Sequence, residues 1–323
     1  MELIPRRRLE LFSGRANRPL AEQIAENLGV TLGEPNLREF ANGEIHCRYN
    51  TSIRGSDVFI IQTHAEPVND SLMEQLIMID AAKRASAKTI TAICPYYAYG
   101  RQDRKSTGRE PINAKLVADL LQAAGAERVI SVDLHSGQIQ GFFNVPFDHL
   151  MATPVLQEYL RTRVDDEIVV VAPDSGRVKL AELYSQQLNC DLALVHKRRP
   201  RGTYNQVEVR HVVGDVEGRH CVIIDDMIDT ASTICAVAER LGESGAKDIW
   251  VMATHGIFSD PAVDRLKACP ISRVVVTDTL PVRPERHFEK LEVLSVAKII
   301  SDAIDAVFEE TSVSEIFGGA NLV

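Results

Sequence analysis

Two adjacent carboxylates followed by a hydroxyl-bearing turn form the most chemically pointed stretch of the chain: Val222-Ile223-Ile224-Asp225-Asp226-Met227-Ile228-Asp229-Thr230-Ala231-Ser232-Thr233. An apolar run over 220–224 ends in Asp225 and Asp226, a polar turn follows, and 231–242 has helical spacing. That order reads as a buried strand, a loop and a helix N-terminus. Such a loop directs backbone N–H groups and the positive end of a helix at one point, which suits a phosphate. On these residues alone two readings stay open: an anion loop flanked by ligand-binding carboxylates, or an acidic strand end with Thr230 or Ser232 capping a helix.

Cations that could meet a phosphate are gathered in two places. The loop Pro95 to Pro111 carries Arg101, Arg104, Lys105 and Arg109, and His196-Lys197-Arg198-Arg199-Pro200-Arg201 follows an apolar run over 191–195. Either cluster alone reads as a solvated surface run. Two of them, both past the ends of strand-like segments, point to charge neutralisation on a transferred phosphoryl group. Two further segments put an ionisable residue directly after a buried run. These are Asp133-Leu134-His135-Ser136-Gly137 and Ala172-Pro173-Asp174-Ser175-Gly176-Arg177. Asp174 has the oxygen chemistry Mg²⁺ prefers. His135 reads as a metal ligand, a general base or a hydrogen-bonded structural residue.

The elements that must position these groups alternate. Strand-like runs at 9–12, 45–49, 58–63, 89–94 and 129–134 are interleaved with helical patterns at 19–28, 71–85 and 114–124. After Pro154 the pattern restarts with helix 155–163, strand 167–172, helix 177–188, strand 191–195, strand 207–213, strand 220–224 and helix 231–242. Strands 248–253, 273–277 and 291–294, helix 261–267 and a closing helix 296–308 complete it. Such alternation predicts an α/β fold with parallel sheets flanked by helices. Gly125-Ala126 before a strand leading to His135 is echoed by Gly245-Ala246 before a strand leading to His255. The echo predicts two similar domains, 1–153 and 154–323, with the 95–113 loop matching the 225–231 turn.

Length and composition fit this. The 323 residues are 45% hydrophobic and 25% charged, enough to bury a sizeable core. The net charge of -9 argues against general affinity for nucleic acid or anionic membranes. Six scattered cysteines without a C-x-x-C pair suggest reduced thiols and a cytoplasmic setting. No apolar run has the length of a signal peptide core or a membrane span.

The stretch Asp133-Leu134-His135-Ser136-Gly137-Gln138-Ile139-Gln140-Gly141-Phe142-Phe143-Asn144-Val145-Pro146-Phe147-Asp148 closely resembles the signature of the ribose-phosphate pyrophosphokinase family. Leu11-Phe12-Ser13-Gly14, Phe40-Ala41-Asn42-Gly43-Glu44, Tyr96-Tyr97-Ala98-Tyr99-Gly100-Arg101-Gln102-Asp103, Lys197-Arg198-Arg199 and the 222–233 stretch resemble further landmarks in family order. The resemblance implies two type I phosphoribosyltransferase-like domains. The implied activity moves the diphosphoryl group of ATP to the anomeric hydroxyl of ribose 5-phosphate, giving phosphoribosyl pyrophosphate and AMP for nucleotide, histidine and tryptophan biosynthesis. It assigns Phe40, Asn42, Gly43, Glu44, Arg101 and Gln102 to ATP, and His135 and Asp174 to Mg²⁺. Lys197 and Arg199 are assigned to catalysis, with Arg199 also on ribose 5-phosphate. Asp225 and Asp226 are assigned to the ribose hydroxyls, and Asp229, Thr230, Ala231, Ser232 and Thr233 to the 5-phosphate. The basic loop at 101–111 becomes a lid.

The resemblance also implies a cytoplasmic homohexamer, activated by phosphate and inhibited by ADP, with Ser52, Arg54, Arg109, Ser312 and Ser314 as effector residues. Three places depart from the family pattern. Relatives commonly carry one or two glycines where Ala231 and Ser232 stand, and glycine suits positive φ or close approach to a ligand. Arg177 stands where many have a second glycine. Thr107, Gly108 and Glu110 differ in the lid. The alternatives are a phosphoribosyltransferase, which the 95–111 loop and the 133–148 signature argue against, and a non-catalytic regulatory homologue, which the retained charged residues argue against.

Overall fold

The computed structural model describes residues 7–164, 168–198 and 208–317. It divides into two α/β units: Met1–Met151 with Thr279–Pro281 and Val296–Val323, and Ala152–Asp278 with Val282–Ser295.

The first unit runs β1 (Leu9–Ser13), α1 (Arg18–Leu28), β2 (Leu32–Gly33), β3 (Asn36–Glu39), β4 (Ile45–Arg48), β5 (Asp57–Ile61), α2 (Val68–Arg84), β6 (Thr89–Cys94), α3 (Asn113–Ala124), β7 (Arg128–Val132) and β8 (Phe147–Leu150). Its main sheet is parallel, in the order β2-β1-β5-β6-β7-β8. All five residues of β5 are buried. Val58–Ile61 are apolar on both faces, which is why the sequence shows a continuous run there and not alternation, while buried Asp57 is paired with Arg7 at 3.1 Å. β3 and β4 form a separate antiparallel hairpin.

The second unit runs α4 (Thr153–Arg163), β9 (Ile168–Ala172), α5 (Val178–Leu188), β10 (Asp191–Arg198), β11 (Glu208–Val213), β12 (His220–Ile228), α6 (Ser232–Glu243), β13 (Asp248–Gly256), α7 (Ala262–Ala268), β14 (Arg273–Thr277) and β15 (Leu291–Leu294). The sheet order is β11-β10-β9-β12-β13-β14-β15, parallel except for β11 at the edge.

The last helix, α8 (Ala297–Phe308), differs from the expected division at 153/154 by returning to the first unit. It is amphipathic, buries Ile299, Ile300, Ala303 and Ile304, and packs on α1. Arg7 anchors its end, pairing with Glu310 at 2.9 Å and lying 4.8 Å over the Phe308 ring. Thr63 Oγ1 donates to the Thr279 carbonyl at 2.6 Å, which ties that short segment to the same unit.

The two sheets correct the register of the Gly-Ala echo. β12 lies beside β9 as β5 lies beside β1, and β13 and β14 follow as β6 and β7 do. The counterpart of the 225–231 turn is therefore the segment after β5, not the 95–113 loop. Gly-Ala recurs because a helix ends before a strand, not because those strands are equivalent. No helix among the described residues is long and apolar enough to cross a membrane, and all six cysteines are free.

Candidate active site

In the second unit β10, β9 and β12 are parallel neighbours, so their carboxyl ends share one edge, where open α/β sheets bind ligands. β12 is longer than the apolar run indicates. It pairs with β13 as far as Ile228↔Gly256, so Asp225 and Asp226 lie within the strand. β10 likewise continues to Arg198, because antiparallel β11 supplies Lys197↔Val209 and Arg198↔Glu208 after a register shift at His196/Lys197. Lys197 is thus on the strand and not past it. Arg199 lies outside the described residues.

Asp174 ends β9. Its Oδ1 accepts the Gly176 N–H at 2.9 Å and caps a short 3₁₀ turn. That turn presents Arg177, whose Nε lies 2.9 Å from Asp225 Oδ1 and whose Nη2 lies 2.6 Å from Asp226 Oδ1. One guanidinium therefore bridges both carboxylates. Burial, and then the Asp226 charge, push the Asp225 carboxyl up to about 8, while Arg177 opposes the shift. The Arg177 departure from the family pattern thus places a cation on the paired aspartates.

The turn after β12 is the other departure. Ala231 is left-handed, with φ 58° and ψ 5°, and is buried. The backbone holds the conformation a glycine would favour, with an alanine in it. No side chain caps α6, so neither Thr230 nor Ser232 plays the capping part that the plainer reading gave them. The Cys235 N–H donates to the Ala231 carbonyl at 3.0 Å. From α7, Arg265 Nη1 donates to the Thr230 carbonyl at 2.8 Å. Nothing in the spacing of Arg265 marked it as a support of this loop.

In the first unit the Phe40–Glu44 segment is the tip of the β3–β4 hairpin. The Phe40 N–H donates to the Glu44 carbonyl and the Gly43 N–H to the Phe40 carbonyl, both at 2.8 Å. Asn42 Oδ1 accepts the Glu44 N–H at 3.3 Å. The tip leaves the Phe40 ring 46% exposed, a flat apolar face on a polar turn. Arg101 and Gln102 sit on a separate element, the start of the basic loop after β6. Gln102 is held by Asn113 Nδ2 and by its N–H to the Tyr99 carbonyl at 2.9 Å. A Cβ at Gly100 would lie 3.5 Å from His135 Cβ, so this loop starts beside the end of β7. His135 is half-buried. The Leu134 N–H before it donates to His149 Nε2 at 2.9 Å, so part of the 133–148 region is scaffolding. Ser52, Arg54, Arg109, Ser312 and Ser314 are exposed residues of this unit, and the Ser312 and Ser314 hydroxyls are 2.8 Å apart.

A buried support of the basic loop carried no sequence signal. His64 Nδ1 accepts the Ala98 N–H at 3.1 Å, and its Nε2 is 2.8 Å from Gln75 Oε1. Gln75 Nε2 bonds the Ile60 and Ile93 carbonyls on β5 and β6. Nδ1 accepts, so Nε2 carries the proton and the ring is neutral. Full burial lowers the imidazole from 6.5 to about 4. The native value lies below the ordinary one, so the unfolded chain takes up the proton first. The stabilisation is complete above 6.5 and is lost as pH falls towards about 4. Two to three pH units of difference are worth about 3 kcal/mol. NMR titration of labelled histidines should show one ring that stays neutral until about 4; ordinary titration of every ring would contradict it.

The N-terminal domain of ribose phosphate pyrophosphokinase matches residues 9–125, and the phosphoribosyl synthetase-associated domain matches residues 209–318. A ribose-phosphate pyrophosphokinase of Streptomyces avermitilis is 53% identical over 312 residues, 96% of each chain. One of Bifidobacterium longum is 51% identical over 317 residues, 97% of this chain and 93% of that one. The crystal structure of phosphoribosylpyrophosphate synthetase from Mycobacterium smegmatis superposes with a TM-score of 0.89 at 50% identity, covering 94% of this chain and all of that one. The chain belongs to the ribose-phosphate pyrophosphokinase family of enzymes. Together with these relatives, the retained charged residues disfavour the regulatory-homologue and phosphoribosyltransferase readings.

Proposed function

We propose that the chain transfers the β,γ-diphosphoryl group of ATP to the anomeric hydroxyl of ribose 5-phosphate, releasing AMP and forming phosphoribosyl pyrophosphate for nucleotide, histidine and tryptophan biosynthesis. The observation that carries this reading is the left-handed turn at Ala231, directly after the paired carboxylates of β12 and at the sheet edge shared with Asp174.

In this reading the sugar hydroxyls donate to Asp225 and Asp226, which hold the anomeric oxygen for in-line attack on the β-phosphorus. Residues 229–233 receive the 5-phosphate through backbone N–H groups and the N-terminal end of α6. Phe40 offers its exposed ring to the adenine, with Asn42, Gly43 and Glu44 at the same hairpin tip and Arg101 and Gln102 on the neighbouring chain of the ATP. Lys197 and Arg199 neutralise charge as the bond to AMP breaks. The 101–111 loop excludes the water that would otherwise compete as nucleophile.

In the second unit the carboxylate of Asp174 is the hard oxygen ligand that Mg²⁺ prefers and so fits the ion, and the resemblance assigns His135 to Mg²⁺ as well. Bound there, Mg²⁺ supplies charge neutralisation at the ATP phosphates. No cluster of three or more His, Cys, Asp or Glu occurs among the described residues. The same resemblance assigns phosphate and ADP as effectors through Ser52, Arg54, Arg109, Ser312 and Ser314, a homohexamer, and the cytoplasm.

The loop assignment is tested at Ala231. A β-branched side chain resists positive φ, so Ala231→Val should strain the turn by about 2 kcal/mol and raise the KM for ribose 5-phosphate at least tenfold. Ala231→Gly relieves the left-handed alanine and should raise stability by about 1 kcal/mol without changing that KM. Effects confined to ATP would refute the assignment.

A further inference from the structure

Asp225 and Asp226 are consecutive residues of β12, and successive side chains of a strand point to opposite faces. Two such carboxyl groups converge on one ligand only where something draws both to the same point. The backbone does not do it from the β9 side, because the pairing of β12 with β9 ends at Ile223↔Val171, before either aspartate. Beyond that pairing the link is a side chain. Arg177 reaches Asp225 Oδ1 with Nε at 2.9 Å and Asp226 Oδ1 with Nη2 at 2.6 Å. Asp225 Oδ1 also accepts the Asp226 N–H at 2.9 Å.

The arginine is itself well placed. It stands between the 3₁₀ turn after Asp174 and the first residue of α5. Asp174 Oδ1 accepts the Gly176 N–H at 2.9 Å and the Asp174 carbonyl accepts the Arg177 N–H at 3.2 Å, which fixes the turn. A guanidinium carries its donors in a rigid planar fork and has no acceptor. Bonds from Nε and Nη2 therefore set the separation and direction of the two carboxyl groups as one unit.

That constraint bears on which sugar the pair accepts. A vicinal diol offers two hydroxyl donors from neighbouring ring carbons, and two acceptors held at one separation meet it best. The side chains of Asp225 and Asp226 are only 16% and 6% exposed. A sugar that lacks one hydroxyl leaves a poorly solvated acceptor without its donor, which costs more than the bond alone.

We propose that Arg177 determines sugar specificity by locking Asp225 and Asp226 into one paired acceptor for a cis-diol, so that sugar phosphates without the 2-hydroxyl are rejected. The inference rests on the assignment of these two aspartates to the ribose hydroxyls given above. Arg177 acts through the carboxyl groups and not on the reacting atoms, so it is a positioning residue. Freed from the fork, a carboxyl group turns to water or a backbone N–H when a hydroxyl is missing, and the penalty for the incomplete sugar falls.

The test compares ribose 5-phosphate with 2-deoxyribose 5-phosphate, each with ATP and Mg²⁺, by the release of AMP. The ratio of kcat/KM for the two sugars, taken on one preparation, does not depend on how much of that preparation is folded. A loss of stability alone therefore leaves the ratio unchanged. The unaltered chain should prefer ribose 5-phosphate by about 10²-fold, and Arg177→Gln should lower that preference about tenfold. Arg177→Lys keeps the charge and loses the planar fork, so it should lower the preference as well. The lysine variant also carries the test if the glutamine variant does not fold. A full preference retained in either variant overturns the proposal, as does equal use of the two sugars by the unaltered chain. Failure of the functional reading is a different result: the unaltered chain then releases no AMP from ATP and ribose 5-phosphate, and the inference falls with it.

Discussion

Replacing Lys197 with alanine is expected to cut turnover by about 10²–10³-fold, in the range that loss of one fixed electrostatic stabiliser costs. The expected KM values change far less, because a cation that acts on the leaving oxygen works in the transition state more than in the bound substrates. Lys197 lies on β10, three residues beyond the last pairing of that strand with β9 at Leu194↔Ala172, and its backbone pairs with Val209 of β11. The fold should survive, since the ladder is made by backbone groups. Comparing kcat, both KM values and the unfolding midpoint of Lys197→Ala with those of the unaltered chain checks this. Near-normal turnover would remove the lysine from the chemistry.

Arg177→Gln is expected to lower stability by about 2–3 kcal/mol, because it leaves two adjacent, poorly solvated carboxylates without their shared cation. The Arg177 side chain is 17% exposed and the two aspartates 16% and 6%, so solvent cannot substitute fully for the guanidinium. The pH dependence has a definite sign. Asp225 has a native value of about 8 against an ordinary 3.8, so the native state holds this proton more tightly than the unfolded chain. Its contribution to stability is full below 3.8 and is lost as pH rises through about 8. Arg177 opposes that loss, so the deficit of the variant should grow with rising pH. Urea unfolding at pH values of about 6 and about 9 measures it. Equal stability of both proteins at both values would show that the bridge carries no weight.

Periodicity and residue type made much of this legible. Continuous apolar runs marked β5, β6, β9 and β12, and helical spacing marked α1, α3 and α6, because strands buried on both faces and amphipathic helices leave those patterns. The short β2 and β3 were not marked, since two to four half-exposed residues carry no period. The ends of β10 and β12 were underestimated for a different reason. Lys197, Asp225 and Asp226 are polar, yet neighbouring strands extend the ladder through them. The return of α8 to the first unit is a tertiary choice: its amphipathic face says that it must be buried, not by what.

At the site, the carboxylate pair, the basic loop and the signature around His135 could be picked out by type and position. The supports could not. Arg265 under Thr230, His64 under Ala98, and the bridging geometry of Arg177 arise from packing between elements distant in sequence. Ala231 shows the reverse case. The missing glycine suggested an altered loop, but the backbone is left-handed all the same, because one Cβ costs only about 1–2 kcal/mol there.

The most direct test of the proposed function is product analysis with ATP, ribose 5-phosphate and Mg²⁺ in the absence of any nucleobase. The expected result is one AMP released for each phosphoribosyl pyrophosphate formed, with the β- and γ-phosphorus of ATP both recovered in the sugar product. Production of ADP in place of AMP, or no product until a nucleobase is added, would contradict it.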